Sequence, residues 1–426
     1  MAPSALPLIE EVQGKGTTSR NVGTDIDRTI ENISSTLHEA IKHIYNNPEL
    51  AFEEFIAHDT LCSFLEQQGF SVTRRAYGVE TAFEVLSGEG GRLISINAEY
   101  DALPNVGHAC GHHLIAAAGV SAFVGIALTL RNNGIPGRVQ LLGTPAEESG
   151  GGKVSLLNAG AYQGVDAVLM SHPLPGAMIG SDPTLTGIGA TNFLAYERWT
   201  VEYFGKPTHA SASPWNGINA YDAAVAAHNN IGLLRQQFRP VDRVHGCMLE
   251  GPKAANVIGE YTKLTYIARS DTKQAVATLE KRVLACFEAA ALATSCEVKI
   301  TRGVGYADVV NNKTLCERYA ELGNAMVGQK IKVMDNREGL GSTDFGNVSH
   351  ALPGMHSMFA IDCPTGTGCH QHGFQSATGT EESYRRALKT GSLLARTGMD
   401  LIVDERLFET VRKEWEQNMK ARGKEI

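Results

Sequence analysis

The stretch GTPAEESGGG occupies residues 143–152 and follows the apolar run at 139–142. It places two adjacent carboxylates, Glu147 and Glu148, between an apolar segment and a glycine-rich turn. This order predicts that both side chains lie at the carboxyl end of a β-strand, where open α/β sheets place their ligand-binding residues. An isolated Glu-Glu pair is more often part of a solvated acidic loop. The interpretation therefore depends on the residues that accompany the pair.

Composition limits the class of protein. The length of 426 residues predicts two or three domains. With 43% hydrophobic and 20% charged residues, the sequence is typical of a soluble globular protein. The formal net charge is -8 and no basic block stands out, which argues against nucleic acid and anionic membranes as partners. The long apolar run at 114–130 is rich in alanine and is better suited to a buried helix than to a bilayer span.

Cellular location is predicted from two features. Residues 1–20 lack the charged start and apolar core of a secretory signal. Eight cysteines are scattered without paired spacing, which favours reduced thiols. We therefore expect a cytoplasmic protein.

The order of predicted elements indicates an α/β fold interrupted by an insertion. Strands alternate with helices up to about residue 190 and again from about 304, which predicts a mixed, mostly parallel sheet sandwiched by helices. Between them, 191–303 has the order β-α-β-β-α-β of a ferredoxin-like module. The expected organisation is an N-terminal arm (1–24), a catalytic domain in two parts (25–190 and 304–426) and an inserted lid or dimerisation domain (191–303).

Potential metal ligands follow the predicted strands of the first domain. Parallel strands bring their carboxyl ends to one edge of a sheet, so ligands distant in sequence can converge there. Thiolate, imidazole and carboxylate together suit zinc, with manganese or cobalt as alternatives. The residues concerned are Asp101, Cys110, His112, Glu147, Glu148, His172 and His370.

Each of these residues alone has a simpler explanation. A single cysteine in an alanine-rich segment is usually a small core residue. Isolated histidines are often hydrogen-bonded structural residues. The metal-site hypothesis depends on their occurring together on successive strand ends.

Six motifs in order resemble metallopeptidase family twenty, and in particular its amidohydrolase branch, which includes auxin-conjugate hydrolases, aminobenzoyl-glutamate hydrolases and a cytosolic dipeptidase. The resemblance runs from about residue 26 to 398, and the number of ordered motifs makes it specific. It implies the fold and the reaction type by analogy. The motifs are Asp101-Ala-Leu-Pro, His108-Ala-Cys-Gly-His, Pro145-Ala-Glu-Glu, Ser171-His-Pro, Gly205-Lys-Pro-Thr-His-Ala-Ser and Gly341-Ser-Thr-Asp-Phe-Gly.

The resemblance also implies the roles of individual residues. Glu147 is implied as the general base, which takes a proton from the attacking water and later gives it to the leaving amine. The last ligand is His370 or His372. Relatives usually have an aromatic residue four positions after this ligand, and Phe374 therefore favours His370. The implied metal ligands are Cys110, His112, Glu148, His172 and His370.

Three residues of the inserted domain are implied to act on the substrate. In relatives, the histidine at the position of His209 reaches across a dimer and stabilises the oxyanion in the partner's site. Asn256 and Arg269 match positions that hold the substrate carboxylate, a bidentate task that suits arginine. The competing explanations are a surface loop histidine for His209 and an ion pair on the sheet face for Arg269.

Two positions depart from the wider family pattern. Many relatives have a histidine at the position of Glu99, which is acidic in the cysteine-ligand branch. His113 stands where an aspartate or asparagine is usual. It is either an additional ligand or a residue that packs at the start of the alanine-rich helix.

Together these observations predict a cytoplasmic amidohydrolase with two divalent metal ions, zinc first, and no organic cofactor. The expected substrate is an N-acyl amino acid or dipeptide-like amide with a free carboxylate, and the expected assembly is a homodimer through the inserted domain. One alternative is a pathway-specific enzyme of the same fold that hydrolyses or condenses one specialised amide conjugate. An alternative of another class is a metal-free binding or regulatory protein.

Overall fold

The computed structural model describes residues 22–334 and 341–423. The described chain divides into two compact units. The first unit contains the described residues of three segments, which are Met1–Thr191, Val310–Arg337 and Asn347–Ile426. The second contains Asn192–Val309 and the described residues of Glu338–Gly346.

The helices of the described residues vary from four to 25 residues in length. They are α1 Val22–Asn46, α2 Phe55–Gln67, α3 His112–Asn133, α4 Gly152–Asn158, α5 Gly176–Ile179, α6 Ala220–Leu234, α7 Lys273–Thr294, α8 Lys313–Ala325, α9 Phe345–Ser349, α10 His372–Thr378, α11 Glu381–Val403 and α12 Glu405–Ala421.

The strands of the same residues form two large sheets and one short ribbon. They are β1 Val72–Arg74, β2 Phe83–Glu89, β3 Leu93–Ala98, β4 Gly137–Gly143, β5 Ala167–Pro175, β6 Gly187–Ile188, β7 Ala195–Phe204, β8 Thr208–His209, β9 Arg243–Glu250, β10 Val257–Ile258, β11 Tyr261–Ser270, β12 Glu297–Arg302, β13 Ile331–Lys332 and β14 Gly354–Ile361.

An eight-stranded sheet forms the centre of the first unit, with the order β1-β2-β4-β3-β5-β14-β6-β13. Its central strands β4, β3, β5 and β14 are parallel to one another. Strands β3 and β14 are buried at every position, as expected where helices cover both faces of a parallel sheet. The predicted mixed, mostly parallel sheet is thus confirmed.

Helix α3 runs against this sheet and packs on α1 and α11. Its length and apolar composition would allow it to cross a membrane, but 94% of its most apolar 18-residue segment is buried inside the protein. The expectation of a buried helix for this run is therefore confirmed. Helix α1 contributes one buried stripe from Ile26 to Ile44, with the helical spacing that the sequence predicts.

The second unit is a four-stranded antiparallel sheet with the order β12-β7-β11-β9. Helices α6 and α7 pack on each other and on its strands, and their apolar residues form a separate core around Trp199 and Phe287. Along β11, buried residues alternate with partly exposed ones, because only one face of the sheet is covered by helices. This is the β-α-β-β-α-β arrangement predicted for the insertion.

Three details differ from the sequence predictions. The arm was expected to extend to residue 24, but Val22 already lies in α1 with 3% exposure; the rest of the arm, 1–21, lies outside the described residues. The second unit runs to Val309 rather than 303, because Tyr306 forms an antiparallel bridge with Tyr196. The last helix predicted from the sequence ends near 398, whereas α11 continues to Val403 and α12 follows, capped by Asp404.

Candidate metal centre

The candidate site of the first unit lies at the carboxyl ends of its parallel strands. Asp101 follows β3, Glu147 and Glu148 follow β4, and His172 lies near the end of β5. Since β3 pairs with both β4 and β5 in parallel register, these three segments leave the sheet on the same edge. The convergence predicted from the strand order is present.

The Cys-Gly-His turn adds two more side chains at the start of α3. Gly111 has φ 82° and is the N-cap residue of the helix, a conformation that residues with a Cβ rarely adopt. A Cβ at this position would lie 2.7 Å from Cγ of Pro173. Glycine therefore allows the turn to press against the end of β5, with Cys110 and His112 on either side of it.

The side chains form overlapping groups whose ligand atoms lie within 4.8 Å of one another. The Sγ atom of Cys110 is 3.4 Å from Nε2 of His172. Oε1 of Glu148 is 3.8 Å from Nε2 of His112 and 3.3 Å from Nε2 of His370. The groups are Cys110 with His112 and His172, Cys110 with Glu148 and His370, and His112 with Glu147 and Glu148.

Hydrogen bonds orient two of the imidazole rings. Nδ1 of His112 donates to Oδ1 of Asp101 at 2.7 Å, and Nδ1 of His172 donates to the carbonyl oxygen of Pro173 at 2.7 Å. Both rings therefore leave Nε2 as the nitrogen with a free lone pair. Asp101 also accepts from the backbone amide of Glu148 at 2.9 Å, which ties the histidine to the carboxylate loop.

The electrostatics of the site favour a cation. Burial alone would lower the pKa of His112, but the charge and hydrogen bond of Asp101, with Glu99 and Glu148, raise it well above its usual range. Burial would raise the pKa of Glu148, but contacts with His370 and the charge of His112 lower it to about 2. Burial and the Glu148 charge raise the pKa of the Cys110 thiol well above its usual range, so a nearby cation is needed to form the thiolate.

Buried polar atoms without hydrogen bonds also indicate that the site fits a bound metal. Nε2 of His112 and Oε2 of Glu99 are fully buried and form no hydrogen bond among the described residues. The two atoms lie 3.6 Å from each other, and buried polar atoms without a hydrogen bond are costly in a protein interior. A cation held by Nε2 of His112 would remove that cost. The residues with suitable atoms are Cys110, His112, Glu148, His172 and His370.

The chain matches the model of peptidase family M20/M25/M40 over residues 95–396. It belongs to this peptidase family. The resemblance inferred from the motifs is confirmed, and with it the assignment to a family of metal-dependent dipeptidases and amidohydrolases.

Two relatives and one solved structure are similar to this M20 chain over most of its length. It is 37% identical to the Xaa-Arg dipeptidase of Mus musculus, with 96% of each chain covered. It is 27% identical to a p-aminobenzoyl-glutamate hydrolase chain of Escherichia coli K12, with 92% of this chain and 94% of that protein covered. A Bacillus subtilis structure described as a dinuclear metal binding peptidase from the M20 family aligns with a TM-score of 0.63 at 21% identity, covering 87% of this chain and 99% of that one.

The two histidines proposed for the last ligand position lie in different environments. His370 has φ 64°, and its amide donates to the carbonyl of Ala109 at 3.0 Å, beside Cys110. Both histidines are exposed, but Nε2 of His370 lies 3.3 Å from Oε1 of Glu148, whereas His372 begins α10 and belongs to none of the ligand groups of the described residues. The structure thus brings His370 into the cluster of this M20 chain, as the aromatic at 374 predicts.

His113 packs against other rings. It is buried, its Nε2 donates to the carbonyl of Thr378 at 3.1 Å, and its ring lies 5.1 Å from that of Tyr45. Burial and the charge of His108 lower its pKa well below the usual range. Of the two roles considered for this residue, packing at the start of α3 matches these contacts.

The predicted substrate residues lie in the second unit. His209 and Asn256 are neighbours on the β8–β10 ribbon, where His209 pairs with Val257 and the carbonyl of Asn256 accepts from Ala210 at 3.0 Å. His209 is exposed, and its Nδ1 accepts from the amides of Ser211 and Ala212. Arg269 donates to Oγ of Ser342 at 2.8 Å and lies over the ring of Tyr196. These contacts leave the substrate role of Arg269 a prediction.

Two charged residues near the metal cluster are not indicated by the sequence motifs. Nζ of Lys153 lies 2.5 Å from Oε1 of Glu99, and both side chains are fully buried. Glu54 is also fully buried and bonds to the amide of Ala146, next to Glu147. Lys153 directly follows the glycine-rich turn, but nothing in the sequence links it to Glu99, and nothing links residue 54 to residue 146.

Proposed function

We propose that this chain is a dinuclear metallo-dipeptidase that hydrolyses the amide bond of a dipeptide or N-acyl amino acid with a free carboxylate. The observation that carries the proposal is the convergence of Cys110, His112, Glu147, Glu148 and His172 in overlapping groups at one sheet edge. The mouse relative's activity makes dipeptides with a C-terminal arginine the first substrates to test. The Escherichia coli relative supports p-aminobenzoyl-glutamate as a second candidate.

The proposed cofactor is a pair of divalent metal ions, with zinc preferred over manganese and cobalt. Thiolate, imidazole and carboxylate ligands in one cluster support zinc. The overlapping ligand groups support more than one ion, as does the Bacillus subtilis neighbour described as dinuclear. When bound, the metal supplies Lewis-acid polarisation of the carbonyl and activation of water.

Glu147 is proposed as the proton carrier. Its side chain is 8% exposed, which shields it while leaving access to a small molecule. It belongs to one group with His112 and Glu148, so a water molecule held there is within its reach. In the proposed reaction Glu147 accepts a proton from the attacking water, and the same proton passes to the leaving amine as the amide bond breaks.

The second unit is proposed to bind the substrate and to form a homodimer. His209 would stabilise the oxyanion of the partner's site, and Asn256 and Arg269 would hold the substrate carboxylate. Their shared unit and the exposed position of His209 support these roles. Exposed apolar side chains on β9, Met248 and Leu249, support a contact between copies. Light scattering of the purified protein tests the dimer, and a fully active monomer would refute it.

A cytoplasmic location is likewise proposed, with small-molecule substrates and neither nucleic acid nor membrane as partner. All eight cysteines are free and a net charge of -8 disfavours polyanions. Fractionation of cells that express the tagged full chain tests the location. Recovery in a secreted or membrane fraction would contradict it.

A substrate screen on purified protein tests the function. Dipeptides ending in arginine or lysine, N-acyl amino acids and p-aminobenzoyl-glutamate are compared after reconstitution with zinc, manganese or cobalt. We expect hydrolysis of at least one class, with loss after chelation and recovery with metal. Net amide synthesis from the separate products would support the condensing alternative. Absence of bound metal with no turnover of any class would favour the binding-protein alternative.

A further inference from the structure

Glu54 stands directly before α2 but does not cap that helix. Its side chain forms no capping hydrogen bond. The first amides of α2 are instead bonded by Glu49, whose carboxylate accepts from Ile56 at 2.9 Å and from Ala57 at 3.0 Å. An acidic residue at a helix start usually serves that helix. Here Glu49 does so, which leaves the Glu54 carboxylate to act elsewhere.

Both carboxylate oxygens of Glu54 bond to other loops. Oε1 accepts from the amide of Ala146 at 2.8 Å, and Oε2 accepts from Oγ1 of Thr81 at 2.7 Å. The side chain is fully buried. Burying a carboxylate is costly unless its oxygens are hydrogen-bonded, and two such bonds link three segments far apart in sequence.

Ala146 is held in an uncommon conformation. Its φ is 59°, in the left-handed region that residues with a Cβ seldom adopt. Its carbonyl accepts from the amides of Gly150 at 3.1 Å and Gly151 at 2.8 Å. With Glu54 on its amide, the peptide groups on both sides of Ala146 are fixed. Glu147 is the next residue, so its direction depends on this conformation.

We infer that Glu54 is a positioning residue that sets the orientation of Glu147 through the backbone of Ala146. The inference rests on the proposed role of Glu147 as the proton carrier. Backbone strain held by surrounding contacts is a known feature of functional sites, and a small misplacement of a reacting group lowers turnover strongly. Glu54 itself need not touch substrate or metal.

What Ala146 needs from Glu54 is an acceptor oxygen. Burial and the charge of Asp101 raise the pKa of Glu54 to about 7. A carboxyl group keeps an acceptor oxygen in either protonation state, and a glutamine amide offers one as well. The hydroxyl of Thr81 can turn to accept from that amide. Glu54→Gln should therefore preserve the contact, whereas Glu54→Ala and the shorter Glu54→Asp should lose it.

The experiment compares kcat, KM, metal content and melting temperature for these three variants and for Glu49→Ala, with the best substrate found. We expect Glu54→Ala and Glu54→Asp to lower kcat roughly 10- to 100-fold with KM within about twofold. Glu54→Gln should stay within about threefold of wild type. Glu49→Ala should lower the melting temperature while leaving kcat unchanged, because it removes a helix cap without touching Ala146. All variants should retain metal.

A double variant tests whether Glu54 acts through Glu147. Once Glu147→Gln has removed the proton carrier, adding Glu54→Ala should cost little more, because residues acting as a unit are not additive. Equal losses in both backgrounds, a wild-type kcat for Glu54→Asp, or a Glu54→Gln variant as slow as Glu54→Asp would overturn the inference. If Glu147→Gln alone keeps its turnover, the proposed function fails, and that result is separate from the Glu54 comparison. If Glu54→Ala does not fold, Glu54→Asp against Glu54→Gln decides.

Discussion

In the first unit, the candidate functional side chains are mostly buried, and atoms such as Nε2 of His112 have no hydrogen bond among the described residues. In the second unit, His209 is exposed and bonded by neighbouring amides, and Arg269 is bonded to Ser342. A buried polar cluster that is incomplete by itself indicates a site for a bound ion. His209 is exposed and Arg269 is partly buried, and side chains that solvent can reach can exchange local partners for a substrate. The difference supports the proposal that the first unit carries the chemistry and the second contributes to substrate binding.

The largest effect is expected for the removal of a ligand in the first unit. His112→Ala should lose bound metal and reduce hydrolysis to background, because the ring sits in two of the three ligand groups. Metal analysis of the purified variant and a turnover assay check this. His108→Ala is a useful control, since His108 is equally buried but bonds to the carbonyl of Ile44; it should retain metal. Full metal content in the His112 variant would contradict the proposal that the first unit holds the metal through His112.

A second large effect is expected on stability. Lys153→Met removes the ammonium group 2.5 Å from Oε1 of Glu99 and leaves this buried carboxylate with the more distant ring of His112, 3.6 Å from Oε2. Breaking a buried ion pair by removing one partner typically costs about 3–5 kcal/mol of the free energy of unfolding. Urea denaturation of the metal-free proteins measures this, because metal binding would mask the difference. A double variant with Glu99→Gln should recover much of the loss. A Lys153→Met variant as stable as wild type would show that the Lys153–Glu99 ion pair does not stabilise the folded protein.

A smaller loss of turnover is expected in the second unit. His209→Ala should lower kcat by roughly 10²–10³-fold, as for removal of one oxyanion donor, with metal content unchanged. Mixing this variant with Glu147→Gln tests whether His209 acts across a dimer: mixed dimers would contain one intact site and regain activity. Absence of recovery in a mixture that exchanges protomers would place His209 in its own site or outside catalysis.

The smallest effect is expected for an exposed ion pair of the second unit. Arg302 lies 2.7 Å from Glu197 and 2.9 Å from Glu280, and its own side chain is 54% exposed although each carboxylate is only 14% exposed. Arg302→Ala should therefore change the free energy of unfolding by about 1 kcal/mol or less. Lys153→Met and Arg302→Ala should be measured in the same denaturation series. Because both cations lie close to their carboxylates, a difference in the free energy of unfolding reports the effect of burial rather than of distance. Equal losses would contradict this explanation.

Much of the fold was predictable because it depends on local periodicity. The stripe of α1, the apolar strand before Glu147, the apolar strand that contains His172 and the order of elements in the insertion are properties of short segments. Helix α12 is not among the helices predicted from the sequence, although Asp404 marks its start and apolar residues recur at helical spacing at Leu407, Val411, Trp415 and Met419. The limit of the second unit at Val309 depends on a bridge between Tyr306 and Tyr196, which a local pattern does not reveal.

The site was predictable to the extent that strand order predicts convergence. Strand order predicts that the potential ligands converge, the family resemblance implies Cys110, His112, Glu148 and His172 among them as ligands, and the structure brings these four side chains into overlapping groups. The contacts of Lys153 with Glu99 and of Glu54 with Ala146 were not predictable, because they depend on three-dimensional packing. The hydrogen bonds of His112 to Asp101 and of His172 to the carbonyl of Pro173 depend on packing as well, and they decide which ring nitrogen faces the cluster.

The most direct test of the metal centre and its proton carrier measures metal content and turnover together in wild type and Glu147→Gln. The substitution keeps the size of the side chain and removes its ability to accept a proton. We expect equal metal in both proteins and a fall in kcat of roughly 10²–10⁴-fold. Wild-type turnover in Glu147→Gln, or active protein without bound metal, would contradict the account.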